Sequence, residues 1–224
     1  MKKVHIILAL ILMLGIGLLA AIQPANGWNV ISTGRYATPT VQANHTTQGG
    51  NVTNMDLSQN RSTTKWAGYW GNVSGIIFLS PATAVFYKWV WAPANGGVVC
   101  AVAAPSGFDW SGVQSVVASA IDTIWNFGTA TDNAANTLTQ ATCNVNIGGT
   151  SVTSIGNRTG VGGFETCAVA DNAAPAAKSD LAFCVNVSGA GNLFNGQTGN
   201  YELLVPTNKT IGATETYYFW MEMR

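Results

Sequence analysis

Ala84-Val85-Phe86-Tyr87-Lys88-Trp89-Val90-Trp91 is the stretch on which the reading of the fold turns. Val85, Tyr87, Trp89 and Trp91 alternate with Phe86, Lys88 and Val90. A period of two is the signature of a strand, and here both faces are mostly apolar, which predicts a central strand covered on both sides. Val98–Ala103, carrying Cys100, predicts a second buried strand. Working outward, Lys65–Trp70 leads through Gly71-Asn72 into Val73–Leu79. Further strands are expected at Thr142–Ile147, Ser151–Ile155, Gly163–Ala170, Leu181–Val187, Tyr201–Val205 and Glu215–Met223. Asn-Gly, Gly-Gly and Pro punctuate them.

One segment has helical spacing. Val113, Val116, Val117, Ala120, Ile121, Ile124 and Trp125 recur at three- and four-residue intervals. Ser111 and Gln114 have the spacing of a capping box and Gly128 that of a stop, so the pattern predicts a helix over Ser111–Asn126 packed on a sheet. Many short strands and one amphipathic helix make the expected fold mainly β, a β-sandwich or jelly-roll-like domain over residues 65–224.

The first 27 residues read as a signal peptide. Lys2 and Lys3 precede an apolar run from Val4 to Ile22, and Ala25-Asn26-Gly27 suits a signal peptidase, which predicts a mature chain beginning at Trp28. An uncleaved anchor is the alternative, and it is the sole membrane attachment the sequence offers. Removing Lys2 and Lys3 leaves two more acidic than basic residues. The whole chain is 9% charged, against about 25% in ordinary soluble domains. That balance lacks the basic footprint of a nucleic-acid binder, and 47% hydrophobic residues are too many for a disordered chain.

Export fits two further patterns. N-x-S/T occurs at Asn44, Asn51, Asn60, Asn72, Asn157, Asn186 and Asn208, marking expected sites of N-linked glycans. Cys100, Cys143, Cys167 and Cys184 form no CxxC pair, and an even count in an exported chain predicts two disulfides. Cys167 and Cys184 lie symmetrically about Pro175 on two strands with hairpin spacing, so the expected pairs are Cys167–Cys184 and Cys100–Cys143.

No catalytic motif is present. His45 is the single histidine outside the leader and sits within a sequon, so a Ser-His-Asp triad is a poor reading. Glu165, Glu202 and Glu215 carry the carboxylates that glycosidase chemistry would need, but nothing local pairs them. Asp132-Asn133 and Asn144-Val145-Asn146 lack the calcium-loop pattern. The chain is therefore read as a non-enzyme with no cofactor and no metal. Trp66, Tyr69 and Trp70 are candidates for stacking on a glycan through their aromatic faces.

Residues 28–64 differ from the rest, with three sequons, few large apolar residues and Gly49-Gly50. A short strand is expected at Trp28–Ile31, followed by a glycosylated tether. Trp28, Val30 and Ile31 form a candidate donor strand, able to pair with a neighbouring subunit or with its own domain.

The stretch Thr64-Lys65-Trp66-Ala67-Gly68-Tyr69-Trp70-Gly71-Asn72-Val73-Ser74-Gly75, with the leader and the sequons, resembles secreted archaeal surface glycoproteins. These are of the extracellular filament or pilus subunit type, or the S-layer-associated type. The resemblance implies an extracellular or cell-surface structural subunit that self-associates into a homopolymer, in some cases by strand donation. The alternative is a carbohydrate-binding or adhesive surface module.

Overall fold

The computed structural model describes residues 22–35, 44, 46–60, 62–81, 84–139, 141–159, 163–209 and 213–224. Residues 4–21 of the leader's apolar run and His45 lie outside them. Strands make up 39% of the chain and helices 9%, in antiparallel sheets, so the fold is mainly β and sandwich-like.

In chain order the strands are β1 (Gln23–Pro24), β2 (Trp66–Gly71), β3 (Gly75–Leu79), β4 (Tyr87–Trp91), β5 (Gly97–Val102), β6 (Gln114–Ser115) and β7 (Ala141–Ile147). They continue as β8 (Thr150–Thr159), β9 (Phe164–Ala170), β10 (Leu181–Asn186), β11 (Gly191–Asn192), β12 (Thr198–Gly199), β13 (Tyr201–Pro206) and β14 (Tyr218–Met223). Two short helices, α1 (Ala118–Ile124) and α2 (Ala134–Thr137), lie between β6 and β7. The main sheet runs β1-β14-β5-β10-β9-β8-β7, with β6 added to β9. β13 pairs with β2 as a separate ribbon, and β3 pairs with β4 as another.

The central strands are buried on both faces because their side chains feed two separate cores. Val99, Ala101, Phe183, Val185 and Ala168 point into one core, together with Ile121 and Trp125 near α1 and Leu203 and Val205 of β13. Val98, Cys100, Val102, Ala182, Cys184 and Cys167 point into the other, against Val145, Ile147, Phe108 and Ile22. Successive residues alternate between the two, as strand geometry requires. The sheet also rolls until its far ends meet. The buried carboxylate of Glu222 on β14 accepts hydrogen bonds from the Gly148 N–H in the β7–β8 turn at 2.8 Å and from Arg224 Nε at 2.8 Å.

The disulfides join Cys100 to Cys184 and Cys143 to Cys167, not the pairs expected from sequence spacing. Strand order explains the correction. β10 lies between β5 and β9, so Cys184 is directly opposite both Cys100 and Cys167. With Cys184 bonded to Cys100 on β5, Cys167 is left to Cys143 on β7. Cys143 reaches Cys167 across β8 at Gly156, which faces Cys167 in register. A Cβ on Gly156 would lie 2.7 Å from Cys143 Sγ and 2.6 Å from the Thr166 carbonyl oxygen, so the crossing needs glycine there. Loop-closure entropy assigns each bond about 3–5 kcal/mol.

The expected helix over Ser111–Asn126 is shortened to α1, and its first part is extended. Gln114 and Ser115 pair with Ala170 and Val169 of β9, and the Val116 N–H donates to Ser154 Oγ at 3.2 Å. Val113 enters one core and Val116 the other, a division between two faces that a helical turn does not offer. Ser111 does not cap Gln114; its N–H and Oγ both donate to Asp109 Oδ1. Tertiary pairing thus overrides the local helical spacing.

Two further expectations are corrected. β4 is not a central strand covered on both sides; it forms a hairpin with β3 alone, outside the main sheet. Trp28–Ile31 forms no strand and pairs with none of the described residues of its own domain. β1, within the expected leader, is the segment that does pair: Gln23 and Pro24 lie opposite Met221 and Trp220, the Ala25 N–H donates to the Phe219 carbonyl at 2.8 Å, and Ile22 is buried.

Peptide mapping without reduction is expected to recover a Cys100–Cys184 linked pair and a Cys143–Cys167 linked pair; a Cys167–Cys184 peptide contradicts that pairing. Glu222→Ala leaves the Gly148 N–H and the Arg224 guanidinium without their acceptor. It is expected to lower unfolding free energy by about 2–3 kcal/mol, read as a shift of the denaturant midpoint at unchanged slope; an unchanged midpoint removes Glu222 from the closure of the sheet.

Candidate functional site

The most unusual surface is the β3–β4 hairpin. Its register places Gly75 opposite Trp91, Ile77 opposite Trp89 and Leu79 opposite Tyr87 on one face, with Ile76 opposite Val90 and Phe78 opposite Lys88 on the other. The base is fixed to the body. Trp91 is 1% exposed and its Nε1–H donates to the Arg224 carbonyl at 2.9 Å. A Cβ on Gly75 would lie 1.9 Å from Met223 Sδ, so the Met223 side chain packs directly on the Gly75 backbone. Moving outward on the same face, exposure rises to 37% at Trp89 and 55% at Tyr87. Past the strand, the Phe86 N–H still donates to the Leu79 carbonyl at 2.8 Å, and Phe86 and Val85 are both exposed. The ribbon thus carries the pattern of a doubly covered strand without its cover. Lys88 is its single charged residue.

The arm between β1 and β2 is the second unusual feature. Trp28, Val30 and Ile31 are 87%, 63% and 89% exposed. Val52, Met55 and Leu57 are exposed as well. At its far end the arm is tied down: the Thr207 N–H donates to the Lys65 carbonyl at 2.6 Å, Lys65 Nζ donates to Asn208 Oδ1, and Thr63 Oγ1 donates to Asp132.

The three aromatic candidates have different surroundings. Trp66 is buried, packs edge-on to Phe127 at 5.5 Å, and donates from Nε1 to the Asp132 carbonyl at 2.6 Å. Tyr69 is half-buried against Phe219, and burial pushes its phenol up from the ordinary value. Burial also raises Tyr201, with Tyr69 adding to it, and raises Tyr217 further, its hydroxyl donating to the Pro206 carbonyl. Trp70 alone presents an exposed ring, edge-on to exposed Phe194 at 5.7 Å, beside a shallow apolar cleft. Buried Glu202 closes the floor of that cleft, accepting from Thr159 Oγ1 at 2.7 Å and from the Phe194 N–H.

The sequon asparagines divide by environment. Asn44, Asn51 and Asn60 on the arm and Asn72 after β2 are exposed. Asn157 lies within β8, half-buried, with its Nδ2 donating to the Thr137 carbonyl at 2.7 Å. Asn186 donates to the Asn144 carbonyl at 2.8 Å and Asn208 to the Asn126 carbonyl at 3.0 Å.

The acidic candidates are held by different partners. Glu165 pairs with Arg158 at 2.6 Å, Glu215 with Lys178 at 2.8 Å, and Glu202 binds as above. Asn133 caps α2 by accepting from the Asn136 N–H at 2.9 Å. Among the described residues no group of three or more His, Cys, Asp or Glu side chains is placed to hold a metal, and no helix is long and apolar enough to cross a membrane.

Sequence reasoning singled out Trp28, Val30 and Ile31, but it missed the hairpin as a surface. The signal was present as the two apolar faces of Ala84–Trp91; the absence of a covering element is a fact of topology. Two disulfides mark an oxidising environment. No family model, no curated protein and no solved structure matches the chain.

Proposed function

We propose that the chain is a structural subunit of a glycosylated extracellular filament or cell-surface layer, assembled by β-strand donation from Trp28–Ile31. The observation that carries this reading is the arm: a short, β-prone apolar segment exposed to solvent and paired with none of the described strands of its own domain. With the leader removed after Gly27, Trp28 becomes the free end, and the 33 residues between Ile31 and Lys65 form a tether reaching about 110 Å at about 3.3 Å per extended residue. Main-chain hydrogen bonds then supply affinity at a neighbour's open edge, and Trp28 and Val30 fill pockets on one face. Low charge and two disulfides suit a durable assembly, and glycans supply the solvation that charges do not.

A second reading, a carbohydrate-binding module, is favoured by the exposed Trp70–Phe194 pair at its apolar cleft. Retardation of the monomer on a polysaccharide affinity gel, lost in Trp70→Ala, would support it.

Electron microscopy of the secreted protein is expected to show filaments or sheets, and deletion of residues 28–35 is expected to leave soluble, folded monomers. Monodisperse wild-type protein, or polymers that persist after the deletion, would contradict strand donation. Glycopeptide mass spectrometry is expected to find Asn44, Asn51, Asn60 and Asn72 occupied and Asn157 bare, since a glycan on Asn157 Nδ2 displaces its bond to Thr137. Full occupancy at Asn157 would show that β8 does not hold that side chain.

A further inference from the structure

We infer that the β3–β4 hairpin is the acceptor: a docking surface for the arm of a second copy of this chain. The inference rests on the self-association proposed above and names the surface on which it occurs.

The apolar side chains of the hairpin expose on the order of 1,000 Å² over its two faces together, so each face alone matches the largest patch of about 300–600 Å² on a typical monomer. A standard protein interface takes about 800 Å² from each partner, so covering one face and an edge of the ribbon supplies a large part of one. An isolated two-stranded ribbon is marginal in water, and three strands with a packed face are needed for independent stability. Among the described residues β3 and β4 pair only with each other, so each has an open edge.

Lipid would cover the apolar faces, but it offers nothing to the open backbone edges, and unpaired edges are not tolerated in hydrocarbon. A protein strand satisfies both needs. The chain itself carries the complement. Trp28–Ile31 is short, β-prone and unpaired, and supplies a third strand; Val52, Met55 and Leu57 further along the arm supply apolar side chains for a face. Lys88 is the sole charged side chain on the ribbon, and Trp28–Ile31 carries no charged side chain, its one charge being the α-ammonium that cleavage leaves on Trp28. An arm from one copy on the hairpin of the next is a head-to-tail contact, which propagates into an open polymer when it does not close into a ring.

Complementation tests this in the full secreted chain. One variant lacks residues 28–35 and keeps the hairpin. The other carries Phe78→Asp and Val90→Asp, both at exposed positions, and keeps the arm. A second hairpin variant, Leu79→Asp with Phe86→Asp, covers the case in which the first does not fold, and the disulfide map and circular dichroism check each. Alone, each variant is expected to stay monomeric, with the hairpin changes raising the concentration needed for assembly by about thirtyfold, the loss of a single hot spot. Mixed, they are expected to form a 1:1 heterodimer that does not grow, because one arm and one hairpin remain. Hairpin variants that polymerise like wild type, while the arm deletion does not, would overturn the hairpin as acceptor and leave strand donation standing, with the acceptor at another edge such as β14. Failure of both deletion and hairpin changes to affect assembly would overturn both proposals. A mixture that stays monomeric would show that arm and hairpin do not bind each other, monomeric wild type beside a mixture that dimerises would show that each arm covers its own hairpin, and flotation of monomers with phosphatidylcholine vesicles that depends on Phe78 and Val90 would show a lipid surface instead; each overturns the inference.

Discussion

Everything in the body of this protein hangs on the position of β10 between β5 and β9. That placement puts Cys184 opposite both Cys100 and Cys167 and so decides which disulfides can form. It also gives Leu181–Val185 two apolar surroundings at once, one beneath α1 and β13, the other beneath the rolled-over β7–β8 hairpin. Cross-links on one face and large side chains such as Phe183 and Trp125 on the other hold the sheet at its centre. Its two ends are then brought together by the Glu222 carboxylate, a polar clamp that works because both of its oxygens are engaged.

Rigidity at the centre contrasts with what is left open at the periphery. The hairpin is anchored at Trp91 and Gly75 and becomes progressively more exposed away from them. The arm is tied at Lys65 and leaves its apolar residues in water. A chain with so few charges has little means of solvating such surfaces, and burying them against a partner is the favourable outcome. β1 adds a further consideration. Residues 22–25 cover the outer edge of β14, so cleavage after Gly27 would remove that cover and open a second edge.

Local pattern made much of the fold legible. The buried strands β5, β7, β9, β10 and β13 lie where alternation and apolar runs place them, because strand period and burial are written residue by residue. What depended on strand order was not legible. Cys167 and Cys184 do face each other, as their spacing about Pro175 suggests, yet the bond goes to Cys100 because a fifth strand brings it equally close. Val113 and Val116 satisfy a helical period and serve two different cores in an extended chain. Ala84–Trp91 reads as a strand covered on both sides, which describes its side chains correctly and its surroundings wrongly. Of the site candidates, Trp66 packs against Phe127 and Tyr69 against Phe219, from opposite faces of β2, and Trp70 keeps an open ring. The exposure of Trp28, Val30 and Ile31 is a tertiary fact, set by the lack of a pairing strand.

The central claim is that the arm and the hairpin are two halves of one interface between copies. Hydrogen exchange on the assembled protein, compared with the dissociated subunit, tests it most directly, because strand pairing protects backbone amides residue by residue. The account predicts that amides in Trp28–Ile31 and in β3 and β4 become slow together on assembly, while those of β5 and β10 are slow in both states. Assembled protein in which Trp28–Ile31 or the hairpin exchanges as fast as in the free subunit would contradict it.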